Sequence, residues 1–414
     1  MPKKPAVLVD EVPMMTQTLP GVGGLFKSLN SDFYVEEIPL NPPRKKGSHV
    51  YFLMQKEGLT TQQAVGEIAR ALGKRNRDIG FAGLKDANAV TRQWISIERV
   101  PPDRVRRLKL RNIRILDWGR NDQPLKVGQL QGNRFRVRLR EFRGSMATAE
   151  AQARAILSVL CERGMPNVFG PQRFGNRGNS HVLGKTILLN QRESFLDLYM
   201  GDPRPEDNAN EFRVRTLYSR GQFNKALKTC PAHLTETRRV LSMLVRHQGN
   251  KKKAFDFVPQ SRIRFLVSAY QSFLFNQVLY ARMPDIDQLL TGDMAYTHSN
   301  GQCFRVENPA SEQPRCTEFE ISPSGPIFCD TMVKPTGAAG KIENKVLHEA
   351  QAVHVTQATV MKKYLSQAGR RSLRVLPTNT SISHGRSKEG EYLELKFDLP
   401  SGSYATVLLR EVMK

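Results

Sequence analysis

Cysteine is scarce in this chain. Five occur in 414 residues: Cys161, Cys230, Cys303, Cys316 and Cys329. Their odd number and wide spacing exclude a disulfide framework and fit a reducing cytoplasm. No C-x-x-C pair is present, which argues against a structural zinc site. No run of about 18 apolar residues exists, so no membrane span is expected. The N-terminal residues carry bases but not the long apolar stretch of a secretory signal. Acidic residues are also few: 39 Asp+Glu stand against 63 Lys+Arg, a net charge of +24. A pI near 10.1 points to a polyanionic partner, nucleic acid ahead of membrane, with solubility alone as the alternative.

Several catalytic signatures are missing too. Gly184, Lys185 and Thr186 look like the end of a P-loop, but the pattern needs glycine at position 179, where Asn179 stands. His348 and His354 are six apart and do not share a helical face. No H-E-x-x-H and no G-x-S-x-G occurs. These absences disfavour a nucleotide hydrolase, a metal enzyme and a serine hydrolase.

What is present is enough to fold. Hydrophobic residues make up 39% and charged residues 25%, so the chain can bury a core. Its length suggests about two or three domains. Residues 1–24 read as a loose leader rich in Pro and Gly. Thr60 to Gln63 resembles a capping box, with Ala64, Val65, Ile68 and Leu72 on one helical face and Gly73 as the stop. A second helix is expected over 148–163, ended by Gly164 and Pro166. Residues 134–140 alternate, with Phe135, Val137 and Leu139 on one face and Arg134, Arg136, Arg138 and Arg140 on the other. Residues 392–399 alternate as well, as a late strand returning to an early sheet would. Further helices are expected near 262–282 and 341–368, and loops near 299–340.

Basic charge concentrates between Arg99 and Arg143, where 14 Lys and Arg face four acids. Four arginines on one strand face must meet water, acids or phosphate, because an unpaired buried charge costs several kcal/mol. A solvated face is the plain alternative to phosphate binding.

The segment from Gly80 to Trp94 is the most distinctive. Gly83, Lys85, Asp86, Ala89, Thr91 and Gln93 resemble the Gly-x-Lys-Asp-x-x-Ala-x-Thr-x-Gln motif of the TruD family of pseudouridine synthases. Other blocks follow in family order. They are Lys27 with Asp32, Phe33, Val35 and Glu37; Asn133 with Phe135; Pro166 to Gly175; Ser268 to Asn276; and Leu399 to Glu411. Together they span residues 27–411. Asn30-Ser31 and Val168 depart from the family pattern, and Val168 removes a polar contact.

The resemblance implies an α/β fold of the α+β type. A pseudouridine synthase catalytic domain, with a mixed and mainly antiparallel sheet and flanking helices, would cover 25–175 and 371–414. A family-specific α/β domain, inserted at 176–370, would leave RNA in the cleft between the two. The implied activity is isomerisation of uridine to pseudouridine in tRNA, typically at position 13, without cofactor or metal. The implied partner is tRNA, with no membrane and no required protein partner, for a cytoplasmic monomer. By resemblance Asp86 is the catalytic group, and Lys27 would pair with it to keep it ionised, with a solvated lysine as the alternative. Phe135 would stack on the target base, with core packing as the alternative. Asn133, Lys85, Gln172 and Arg173 complete the substrate-binding set, and Arg134, Arg136, Arg138 and Arg140 would grip phosphates. Thr91 and Gln93 are expected as supports. A non-catalytic RNA-binding protein is the competing reading, disfavoured by the intact Asp86 motif.

Overall fold

The computed structural model describes residues 12–329, 332–353 and 369–414. The chain divides into two compact units. One is built from two segments, Met14–Asn167 and Arg374–Lys414, and the other, Val168–Leu373, is inserted between them. The first segment supplies β1 (Gly23–Leu25), β2 (Phe33–Pro39), β3 (His49–Glu57), β4 (Ile79–Phe81), β5 (Val90–Glu98), β6 (Ile113–Asn121), β7 (Leu130–Phe142) and β8 (Met165–Pro166). The insert contributes β9 (Met294–Thr297), β10 (Cys303–Arg305), β11 (Ile321–Ile327) and β12 (Gly369–Ser372). The chain then returns with β13 (Arg374–Val375), β14 (Thr378–Ser387) and β15 (Gly390–Pro400).

A nine-stranded mixed sheet organises the two-segment unit. Its order is β14-β15-β7-β2-β5-β3-β6, with β1 on β7 and β4 on β5. Only β2 and β5 run parallel; the other neighbours are antiparallel. The late strand β15 therefore lies against β7, pairing Phe397 with Phe135.

Register fixes two sheet faces, because residues opposite one another across a ladder point the same way. Phe397, Phe135, Val35 and Thr91 are successive partners on one face. Helix Thr61–Leu72 packs on that face, burying Ala64, Val65, Ile68 and Leu72 against Phe52, Met54, Ile95 and Ile97. Helix Met146–Arg163 covers the same face further along, where Cys161 meets Thr380 and Glu150 meets His384. The first helix starts where Thr60 and Gln63 cap each other reciprocally, and stops at Gly73 in the left-handed conformation. The opposite face carries Tyr34, Glu36, Arg92, Arg134, Arg136, Arg138, Glu394, Lys396 and Asp398.

Two expectations need correcting. Residues 14–24 are docked rather than loose. Met15 and Thr16 donate their backbone N–H groups to the Glu411 carboxylate at 2.9 and 3.0 Å, and Thr16 is 1% exposed. The expected loops near 299–340 contain β10, helix Pro309–Thr317 and β11. Proline misleads there. Pro309 opens the helix, where its missing donor is harmless. Pro323, within β11, still accepts from Leu373 through its carbonyl. Of the helix expected at 341–368, Gly337–Glu349 is helical, and 354–368 lie outside the described residues.

In the insert, helix Gln260–Arg282 is the packing centre, with Leu266, Tyr270, Leu274 and Val278 buried. Helix Ser180–Leu188 crosses it at Gly184, where an added Cβ would lie 2.1 Å from the Leu266 carbonyl oxygen. The residues that imitate a P-loop thus serve helix packing, and Lys185 donates to the Ala350 carbonyl at 2.9 Å. Gly184→Ala should force the helices apart and destabilise the protein by about 1–3 kcal/mol. A drop in the denaturation midpoint checks this; an unchanged midpoint contradicts the packing role.

Candidate active site

Asp86 lies in the short connection between β4 and β5, where the Ala89 N–H closes a tight turn on the Ala87 carbonyl. Its carboxylate oxygen Oδ2 is 2.7 Å from Lys27 Nζ, with the two side chains 35% and 21% exposed. Lys27 adopts φ +63°, a left-handed conformation uncommon for a residue with a side chain. Its ammonium also sits 4.2 Å from the Phe33 ring centroid, a cation–π contact that helps hold it. A cation backed by an aromatic ring thus faces a half-open carboxylate.

A second ion pair lies beside the first. Lys85 Nζ approaches Glu37 Oε2 at 3.2 Å, with both side chains at most 5% exposed. Burial pushes the Glu37 carboxyl up and the Lys85 ammonium down, each opposing the other's shift through their attraction. Lys85 Nζ also donates to Asn133 Oδ1 at 2.6 Å. An ammonium only donates, so it fixes the amide orientation: oxygen toward Lys85, the Nδ2 donors turned away. Glu37 pairs directly with Asn133 across the β2–β7 ladder. Register therefore places Glu37, Asn133 and Phe135 on one sheet face.

Phe135 is 6% exposed, stacked on Phe397 at 5.3 Å and tilted against Phe33 at 6.2 Å. Little of the ring is open to a ligand, so its packing role is the plain one in this structure. Gln172 and Arg173 belong to the inserted unit. Arg173 donates to Ser272 Oγ at 3.0 Å and Ser268 Oγ at 2.9 Å, tying the turn to helix Gln260–Arg282. Asn276 of that helix bridges both backbone groups of Phe169 at 2.9 and 3.0 Å. Gln172 is exposed.

The arginine face of β7 points away from Asn133 and Phe135, as the alternation of the sequence predicts. It differs from expectation in being substantially neutralised. Arg140 is 5% exposed and binds the Asp32 carboxylate through two hydrogen bonds of 2.8 and 2.7 Å, so it is not a phosphate ligand. Arg138 donates to Glu394 at 2.8 Å, and Arg134 forms a two-pronged pair with Asp398 at 3.0 Å. Arg136 lies over the Tyr34 ring at 4.8 Å. The physical reason is cross-strand register: β15 sets Asp398 opposite Arg134 and Glu394 opposite Arg138.

Sequence reasoning passed over Lys56 and Thr61. Lys56 Nζ donates to the Asp86 carbonyl at 2.8 Å, and Thr61 Oγ1 accepts from the Lys85 N–H at 2.9 Å. A signal for Lys56 was present. It follows Val50, Phe52 and Met54 at every second residue, so it occupies a core-facing position of β3.

Comparison with known proteins agrees with the motif order. The family model for tRNA pseudouridine synthase D (TruD) matches residues 11–412. A tRNA pseudouridine synthase D of Geobacter metallireducens is 42% identical over 400 residues, covering 97% of each chain. One from Thermus thermophilus is 33% identical over 409 residues, covering 98% of this chain and 93% of its own. A solved structure from Methanosarcina mazei, described as a tRNA pseudouridine synthase D, superposes with a TM-score of 0.80. It is 26% identical and covers 97% of this chain and 95% of its own. The chain belongs to the TruD family of tRNA pseudouridine synthases.

Proposed function

We propose that Asp86 is the catalytic group with which this enzyme isomerises uridine to pseudouridine in tRNA, at position 13, as a cytoplasmic monomer. Catalysis is assigned to the two-segment unit, with the insert helping to hold the tRNA. The observation that carries the reading is the Lys27–Asp86 pair at 2.7 Å, in which the carboxylate stays partly open to solvent. In the reaction the N1–C1′ bond breaks, uracil turns, and C5 bonds to C1′ while C5 loses its proton and N1 gains one. A carboxylate can serve by attacking the sugar or by removing a proton from it.

The base must leave its stack to be reached. Asn133 is suited to meet it, because Lys85 occupies the amide oxygen and leaves the Nδ2 donors for a uracil carbonyl. We assign base stacking to the small part of the Phe135 ring, two residues along the same face, that Phe397 and Phe33 leave uncovered.

Phosphate binding is better served by another part of the basic segment. Arg104, Arg107, Lys109, Arg111 and Arg114 are exposed and make no ion pair among the described residues. Of the β7 arginines, Arg134 and Arg136 retain the most exposure, 55% and 42%. Such contacts position RNA without reading its sequence.

Asp86→Asn should bind unmodified tRNA as the parent does and lose at least about 100-fold in tritium release from 5-tritiated uridine. Near-parental release would remove Asp86 from the mechanism. Replacing Arg107, Lys109 and Arg111 together with Gln should flatten the log K against log salt plot by about 2–3 units of slope, since each phosphate contact contributes about 0.7–0.9. An unchanged slope would place the phosphate contacts elsewhere.

A further inference from the structure

Lys56 is fully buried on the core-facing side of β3, in line with Val50, Phe52 and Met54. A cation there is costly unless its donors are met. Burial pushes its pKa down to about 8, with Asp86 opposing the shift and Lys85 adding to it. An apolar side chain would avoid that cost. The structure shows what the ammonium does instead: Nζ donates to the backbone carbonyls of Leu59 at 2.5 Å, Asp86 at 2.8 Å and Lys85 at 3.5 Å. Two of the three belong to the connection that carries the carboxylate.

Thr61 is 1% exposed and grips the same connection. Its Oγ1 accepts from the Lys85 N–H at 2.9 Å and donates to Gln93 Oε1 at 2.9 Å. Gln93 Nε2 in turn donates to the Gly83 carbonyl at 2.9 Å. Three buried side chains therefore hold the Gly83, Lys85 and Asp86 peptide groups. The Asp86 carboxylate meets Lys27, while the backbone beneath it is tied to β3, β5 and the start of helix Thr61–Leu72.

We infer that Lys56 and Thr61 are positioning residues for the isomerisation. They fix the backbone that aims the Asp86 carboxylate. The inference rests on Asp86 being the catalytic group. A displacement of about 1 Å in a reacting group can cost about 100-fold in rate. Losing the Lys56 clamp should therefore act on the chemical step and spare tRNA binding.

The test is single-turnover pseudouridine formation by the full chain, with tRNA affinity measured in parallel. Lys56→Met should lower the rate constant about 100-fold and leave Kd within about twofold. A purely structural role would lower the amplitude, through a smaller folded fraction, but not the rate constant of the molecules that react. Thr61→Val removes the second grip without a buried charge, and should lower the rate constant about tenfold. A parental rate constant for Lys56→Met overturns the inference. If Lys56→Met does not fold, a parental rate constant for Thr61→Val overturns it instead. Failure of this proposal is distinct from failure of the Asp86 assignment: in the first case Asp86→Asn is still inactive, and in the second it turns over.

Discussion

The short connection that carries Asp86 is anchored to the sheet from within, and two buried lysines take part in that anchoring. Lys56 spends its ammonium on carbonyl oxygens of the connection, while Lys85 spends its own on Glu37 and Asn133. Neither arrangement is favourable for stability alone. Burial disfavours both charges, and buried ion pairs often stabilise less than apolar residues of the same size. Their retention in the core makes sense as geometry. The chain carries two desolvated cations close to a third, Lys27, that remains partly exposed and reaches the carboxylate itself.

The division of labour follows from the sheet. One face is covered by helices Thr61–Leu72 and Met146–Arg163, and the polar residues of the site sit on that same covered face. Glu37, Asn133 and Phe135 reach it because β2 and β7 run antiparallel in a register that sets Glu37 opposite Asn133. A one-residue slip of β7 would turn Asn133 to the other face and present arginine instead. The Arg140–Asp32 pair resists such a slip. Its two hydrogen bonds tie the far end of β7 to the residue just before β2, in a site where an unpaired charge would be costly.

Much of this was legible in the sequence. Local signals carried well where a single rule decided the outcome: the Thr60–Gln63 capping box, Gly73 as a helix stop, and the alternation at 134–140 and 392–399. Motif order located Lys27, Lys85, Asp86 and Asn133, which the fold brings together, although they are spread from 27 to 133 along the chain. The rest depended on partners distant in sequence. No local pattern says that Asp398 and Glu394 will lie opposite Arg134 and Arg138, so a paired face reads as an open basic one. Nor does composition tell that Met15 and Thr16 will satisfy Glu411, nearly four hundred residues away. Lys56 was different, since its position on an apolar stripe could be read from β3 alone.

That contrast also sharpens the meaning of the +24 charge. Charge counted along a chain measures attraction to a polyanion only to the extent that it remains unpaired after folding. Between Arg99 and Arg143 the fold separates two populations. Cations on β7 are drawn into cross-strand pairs by their neighbours on β15 and by Asp32, where they specify register. Those between Arg104 and Arg114 sit on a short helix and the turn into the edge strand β6, where few acids lie opposite them. Beyond a single bridge from Arg44 to Arg120, no strand pairs with the outer side of β6 among the described residues, so its basic side chains have no second ladder to neutralise them. The edge of the sheet is thus where basic residues can keep their charge, while the centre of the same sheet uses its basic residues to hold itself and the Asp86 connection in place.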